Sequence, residues 1–136
     1  MIFMAAAMLM FASCNKEKQT EEKIVGTWIE TESLYLYTHD GVCDTTSMFE
    51  EGESIEITFK ADKTYTSVYH SLEGDSEDHG TWSVKGGKFT LNGELDSADF
   101  TIDQLDKNVF NITHREEGND GNSHYTLEII IRMTRK

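Results

Sequence analysis

Apolar and polar residues alternate with a period of two through most of the chain, and this alternation constrains the fold more than any other feature. Tyr125, Leu127, Ile129, Ile131 and Met133 share one face of the last segment, while Thr126, Glu128, Arg132 and Thr134 share the other, with Ile130 the exception. Ile55, Ile57 and Phe59 alternate with Ser54, Glu56 and Thr58. Trp82 and Val84 keep a common parity, as do Phe89 and Leu91, Phe100 and Ile102, and Phe110 and Ile112. Only an extended backbone sends successive side chains to opposite faces, so a period of two means half-buried strands. There is no proline, and there are ten glycines, which suits strands joined by Gly, Asn and Asp turns.

The pattern predicts an all-β fold of eight strands, near 24–37, 54–59, 64–69, 80–85, 88–91, 100–104, 109–113 and 125–134. Lys85-Gly86-Gly87-Lys88 is a tight hairpin, because two glycines accept the positive φ of a type I′ turn. Lys60–Lys63 and Leu105–Asn108 are short turns. Each strand is followed closely by the next, so the simplest topology is an antiparallel up-and-down meander. Eight such strands close into a barrel, which removes the exposed edges. The first strand has an awkward parity, since Trp28, Glu30, Glu32, Leu34 and Leu36 would share one face. A buried unpaired carboxylate is costly, so a β-bulge that switches the faces is expected.

Connection lengths alternate. Those after strands two, four and six are short, and those after strands one, three, five and seven are long, near 38–53, 70–79, 92–99 and 114–124. Alternate loops of a meander lie at the same end. One end is then a base of tight turns holding both termini, next to Arg132, Arg135 and Lys136, and the other is a mouth of four long loops. All five histidines, His39, His70, His79, His114 and His124, map to the mouth among many acids. Imidazole with carboxylate suits Zn²⁺, which makes these five the candidate metal ligands. Polar side chains favouring exposed loops is the alternative, and no H-x-x-x-H or H-E-x-x-H spacing is present. Trp28, Phe59, Trp82, Phe89, Phe100, Phe110 and Leu127 are the inward residues that would line a ligand site. A barrel of eight strands is just wide enough for side chains to fill or for one small ligand, and bulky residues on short strands favour filling.

The chain has 25 acidic and 12 basic residues and a formal charge of −13, which excludes duplex nucleic acid as a partner. No nucleophile elbow, paired metal motif or phosphate loop is present, so no enzymatic activity and no required cofactor are expected. Cys43 is a lone thiol. Residues Met1 to Ser13 carry no charge and are too few to span a bilayer as a helix, but suit the apolar region of an export signal. Asn15 to Lys23 is wholly polar.

Phe11-Ala12-Ser13-Cys14 resembles the lipobox of bacterial lipoproteins, with Phe11 where an aliphatic residue is usual. The resemblance implies removal of residues 1–13 and acylation of Cys14, followed by a polar tether over 14–23 and a barrel over 24–136. Gly26-Thr27-Trp28 resembles the G-x-W motif on the first strand of lipocalins. The stretches from Ile57 to Thr66 and Gly80-Thr81-Trp82-Ser83-Val84 resemble small lipocalin-like lipoproteins of Gram-negative bacteria. That resemblance implies a lipocalin-like barrel with an arginine, Arg132 or Arg135, packed over Trp28. It further implies a monomer tethered by Cys14 to the outer membrane in the cell envelope, on its periplasmic or surface side, binding a small apolar or amphipathic ligand at the mouth. The alternative is a non-catalytic interaction module whose acidic loops contact a protein or glycan. Asp44-Thr45-Thr46 and Asp96-Ser97-Ala98 also resemble O-glycosylation sites of some Gram-negative bacteria.

Overall fold

In the computed structural model the described residues are 16–94 and 96–136, and they form one helix and nine strands. Cys14 and the apolar run before it lie outside the described residues. The helix, α1, covers residues 16–24. In chain order follow β1 (Gly26–His39), β2 (Val42–Ser47), β3 (Ser54–Phe59), β4 (Thr64–Ser71), β5 (Gly74–Lys85), β6 (Lys88–Asn92), β7 (Ser97–Leu105), β8 (Val109–Asp120) and β9 (Ser123–Arg135).

Strands β1 and β3 to β9 pair antiparallel in that order, and β9 pairs back onto β1 from Trp28↔Arg135 to His39↔Tyr125. This is the closed barrel of eight strands that the alternation implies. Strand β2 is additional. It pairs with β1 from Leu34↔Ser47 to His39↔Val42, above the point where β1 leaves β3.

The four expected long loops are mostly strand. Asp40-Gly41, Leu72-Glu73 and Gly121-Asn122 turn the chain between strands that run on through much of 38–53, 70–79 and 114–124. Every residue from Gly74 to His79 is exposed, and so is every residue of β2. Alternation marks a strand only where one face is dry, so strands with water on both faces read as polar loops. The short turns match expectation. Gly86 and Gly87 have φ of 57° and 79°, as a type I′ turn requires.

The bulge of β1 falls between Glu30 and Glu32. It turns Glu32 outward, where its carboxylate accepts from Arg132 Nη1 at 2.7 Å. Glu30 lies before the bulge and stays inward, 8% exposed. The shift also sends Ser33, Tyr35, Tyr37 and His39 to the inner face and Leu34 and Leu36 to the outer one.

The lower half of the barrel holds an aromatic plug. Trp28, Phe59, Trp82, Phe89 and Phe110 are almost fully buried. Their rings meet edge-on or tilted, with centroids 5.2 Å apart for Phe89–Phe110 and 5.5 Å for both Trp28–Phe110 and Phe59–Phe89. Such aromatic pairs add about 0.5–1.5 kcal/mol each beyond their buried area.

The base is closed by α1, so the stretch expected to be a polar tether is helical over residues 16–24. Ile24 is fully buried in the core. Trp28 Nε1 donates to the Ile24 carbonyl at 2.8 Å, Gly86 N–H to Glu17 Oε1 at 3.1 Å, and Glu21 pairs with Lys63. The arginine over Trp28 is Arg135, its guanidinium 4.3 Å from the ring centroid. It donates to the carbonyls of Lys23 at 2.6 Å, Lys107 at 2.7 Å and Val25 at 3.1 Å. One side chain thus joins the helix, the β7–β8 turn and Val25, the residue before β1. The glycine of G-x-W follows from this packing, because a Cβ at Gly26, where φ is 138°, would collide with Arg135 Nη1. Trp82 repeats the device. Its indole N–H donates to the carbonyls of Lys60 and Thr64, both at 3.1 Å, and Lys63 Nζ lies 4.5 Å from its ring centroid.

Replacing Arg135 by Met removes three charge-assisted hydrogen bonds and a cation–π contact, so Arg135→Met lowers the unfolding free energy by about 3 kcal/mol. Arg132→Met, which removes one exposed ion pair, lowers it by no more than about 1 kcal/mol. Urea denaturation of the two variants measures the difference.

Candidate functional site

Above the aromatic plug the barrel opens. The ladder between β7 and β8 ends at Thr101↔Thr113, and that between β1 and β3 at Glu30↔Ile55. Strands β8, β9, β1 and β2 continue upward as a raised sheet, and its inner face is built of cross-strand rows. Ile129 stands between His114 and Tyr35, and Leu127 between Glu116 and Tyr37. The rim row brings Tyr125 beside Gly118 and His39. The Tyr37 ring stacks on Tyr125 and His39, with centroids 6.0 Å and 6.1 Å away. Gly118 gives Tyr125 room, since a Cβ there would run into the phenol ring. Tyr35 is 37% exposed, and Tyr37, Leu127 and Ile129 are half-buried. Apolar side chains of the inner face therefore stand against the hollow rather than against a facing sheet.

Across the hollow, the inner sides of β4 to β7 hold a cavity of about 370 Å³, lined in part by Tyr65, Asp78, Leu91, Ala98 and Phe100. Gly93 keeps it open, because a Cβ there would lie 3.2 Å from Tyr65 Oη and 3.6 Å from Asp78 Oδ2. Burial pushes the Tyr65 phenol up from its usual pKa, and the Asp78 carboxylate adds to the effect. At the rim the Tyr69 phenol is pushed up to about 12, chiefly by a hydrogen bond to Glu53.

His114 bridges the β7–β8 seam. Its Nδ1 lies 2.7 Å from the Asp99 carbonyl and its Nε2 2.9 Å from Glu116 Oε1, and its ring meets Phe100 edge-on at 5.9 Å. Both partners are acceptors, so only the imidazolium makes both bonds. The Asp99 carbonyl, followed by Glu116, raises the pKa of His114 above the ordinary value.

Glu30 and Ser33 lie on the floor of the hollow. The Ser33 hydroxyl is 3.4 Å from Met48 Sδ. No hydrogen bond or ion pair from a described residue reaches the Glu30 carboxyl, and burial pushes its pKa up from 4.5 to about 7.

A family model described as a lipocalin-like domain matches residues 24–113. The chain belongs to this lipocalin-like family. No curated protein matches it. Among solved structures, lobster apocrustacyanin A1 is 14% identical with a TM-score of 0.54, covering 92% of this chain and 67% of that one. A lipocalin-like protein from Bacteroides uniformis is 13% identical with a TM-score of 0.45, covering 77% of this chain and 96% of that one. A protein from Bacteroides eggerthii is 12% identical, also with a TM-score of 0.45, covering 77% of this chain and 98% of that one. The lipocalin-like barrel is an architecture suited to small ligands.

The residues expected to line a ligand site divide in two. Trp28, Phe59, Trp82, Phe89 and Phe110 fill the plug, while Phe100 reaches the cavity wall and Leu127 the raised sheet. Sequence reading missed Tyr35, Tyr37, Glu30 and Asp78. The two tyrosines become visible once the bulge is placed after Glu30, because the shift gives them the parity of Trp28. The five histidines do share the upper half of the barrel but do not converge. Strand parity points His39 and His114 inward and His70, His79 and His124 outward. His70 pairs with Asp75 at 2.9 Å and His79 with Glu94 at 2.8 Å. Among the described residues no group of three or more His, Cys, Asp or Glu side chains is placed to hold a metal ion.

The raised Glu30 pKa ties stability to pH. Below 4.5 the carboxyl is neutral in both folded and unfolded chains and costs nothing. Between 4.5 and about 7 only the unfolded chain ionises, so stability falls with rising pH until the folded carboxyl also ionises. Urea denaturation of the wild type and Glu30→Gln at pH 5 and pH 8 isolates this contribution. The wild type loses on the order of 3 kcal/mol more than the variant across that interval.

Proposed function

We propose that the protein binds one small apolar or amphipathic molecule in the upper half of its barrel and catalyses no reaction on it. The observation that carries this reading is the uncovered inner face of the raised sheet. Tyr37, Leu127 and Ile129 stand half-buried and Tyr35 is 37% exposed, above a close-packed aromatic plug. The neighbouring cavity of about 370 Å³ falls within the range of small-molecule sites, which are about 300–1,000 Å³. Asp78, Glu94 and Asp96 border that cavity, so a neutral or cationic head group is favoured over an anionic one.

The second part of the proposal concerns location. The protein is held through acylated Cys14 to the outer membrane of a Gram-negative bacterium, on the periplasmic or surface side, after removal of residues 1–13. The Phe11-Ala12-Ser13-Cys14 sequence supports this, as does α1, which lies at the base and leaves the mouth free. Acyl chains contribute about 0.8 kcal/mol per buried methylene, so several on one cysteine suffice for stable attachment. Mass spectrometry of the envelope protein shows an amino-terminal peptide beginning at an acylated Cys14. An unmodified peptide containing residues 1–13 rejects the anchor.

Two adjacent isoleucines on opposite faces of β9 test the ligand site. Ile129→Ser weakens binding of a neutral apolar fluorophore at least tenfold, and Ile130→Ser, on the outer face, leaves it within about twofold. Titration by fluorescence measures both, with a cationic and an anionic amphiphile of equal chain length as competitors. No saturable binding to the wild type removes the carrier reading.

A further inference from the structure

Charge in this barrel is sorted by height. Helix α1 carries Lys16, Lys18 and Lys23, and the β3–β4 turn carries Lys60 and Lys63. Lys85 and Lys88 flank the β5–β6 turn, Lys107 sits in the β7–β8 turn, and Arg135 and Lys136 end the chain. Ten of the 12 basic residues therefore lie at the base. Seven acids share that end, namely Glu17, Glu21, Glu22, Glu56, Asp62, Asp103 and Asp106. Glu56, level with Thr134 across Ile29, pairs with Lys136 at 3.0 Å. Counting side chains, the base has three positive charges in surplus, and the rest of the molecule, with 18 acids and two arginines, has 16 negative ones.

Three of the base cations are engaged: Lys63 with Glu21, Lys136 with Glu56, and Arg135 with backbone carbonyls. The other seven lysines of this end are exposed and, among the described residues, form no ion pair. The turns that carry them close one end of a ring of strands, so the ammonium groups surround a common face. A cleft of about 540 Å³ opens on it between α1 and the lower ends of β5 and β7. Val84, Ile102 and Leu105 give the cleft apolar walls, and Lys16 and Lys23 line it together with Glu17 and Asp103.

We propose that this base is a docking face for anionic phospholipid membrane. The lysines meet lipid phosphates, and the cleft offers an apolar recess beside them. The net charge of −13 argues against such contact only if the whole molecule is felt at the surface. Strands of 12–14 residues, at about 3.3 Å per residue and a tilt of about 40°, stand about 30 Å tall. The Debye length at physiological ionic strength is about 8 Å, so a membrane under the base is screened from most of the mouth acids. Those acids instead disfavour mouth-down approach, and the same charge distribution fixes orientation. The proposal requires neither an acylated Cys14 nor a ligand in the barrel.

The test uses residues 14–136 carrying Cys14→Ser, the proposed mature chain with its whole described fold, so that neither an acyl group nor the apolar residues 1–13 contribute. Cosedimentation is measured with vesicles of phosphatidylcholine alone and of phosphatidylcholine with 30% phosphatidylglycerol. Binding is expected to be tighter to the anionic vesicles and to weaken as NaCl rises from 50 to 300 mM. Surface lysines contribute roughly fivefold each, so Lys85→Gln with Lys88→Gln weakens binding to the anionic vesicles by about tenfold or more. Lys60→Gln with Lys107→Gln, at two other turns, does the same and guards against a folding defect in the first pair. Arg115→Glu, higher on β8, makes the same change in net charge away from the base and leaves binding within about twofold. Equal binding to both vesicle types, no effect of salt, or equal losses from the base pairs and from Arg115→Glu overturns the proposal.

Discussion

The return of β9 onto β1 is the interaction on which the rest of this molecule depends. It closes the ring and places Arg135 over Trp28. From there the guanidinium reaches three carbonyls that belong to the helix, to the last base turn and to Val25, which links the helix to β1. The aromatic plug needs that closure, because its rings come from strands on opposite sides of the barrel and meet only when the ring is complete. A chain that could not complete the β1–β9 ladder would leave two sheet edges open and both indoles in water.

Above the plug the construction changes character. Lower rows are filled by rings, whereas upper rows pair an apolar residue with a polar one or with glycine, as Leu127 with Glu116 and Tyr125 with Gly118. The change coincides with the seams at which the β7–β8 and β1–β3 ladders stop. A solid floor below split walls makes a cup rather than a sealed box. Glu30 sits where the two regimes meet. It is buried enough to resist ionisation.

The barrel was legible in the sequence because its lower half obeys the rule that a strand with one dry face alternates. Phe59, Trp82, Phe89, Phe100, Phe110 and Met133 all kept the parity of buried residues, and the structure buries all six. The base turns were legible through their glycines and short lengths. The mouth was not, for two physical reasons. Its strands are wetted on both faces, so Val42–Ser47 and Gly74–His79 lack the signal that identifies strands. In addition, the sequence implies a bulge in β1 but not its place, and the single residue inserted after Glu30 turns Tyr35 and Tyr37 inward and Leu34 and Leu36 outward. Helix α1 escaped notice because its one deeply buried side chain, Ile24, comes at its very end, leaving no periodic apolar stripe.

The two indoles share one more property. Each lies in the plug with its N–H on a base carbonyl and a cation over its ring, Arg135 for Trp28 and Lys63 for Trp82. Both fluorophores are thus sunk at one pole and hold the same kind of neighbour. Their ultraviolet emission reports whether that pole is intact and is nearly blind to events in the cup, which among the described residues is lined by tyrosines and Phe100 rather than indoles.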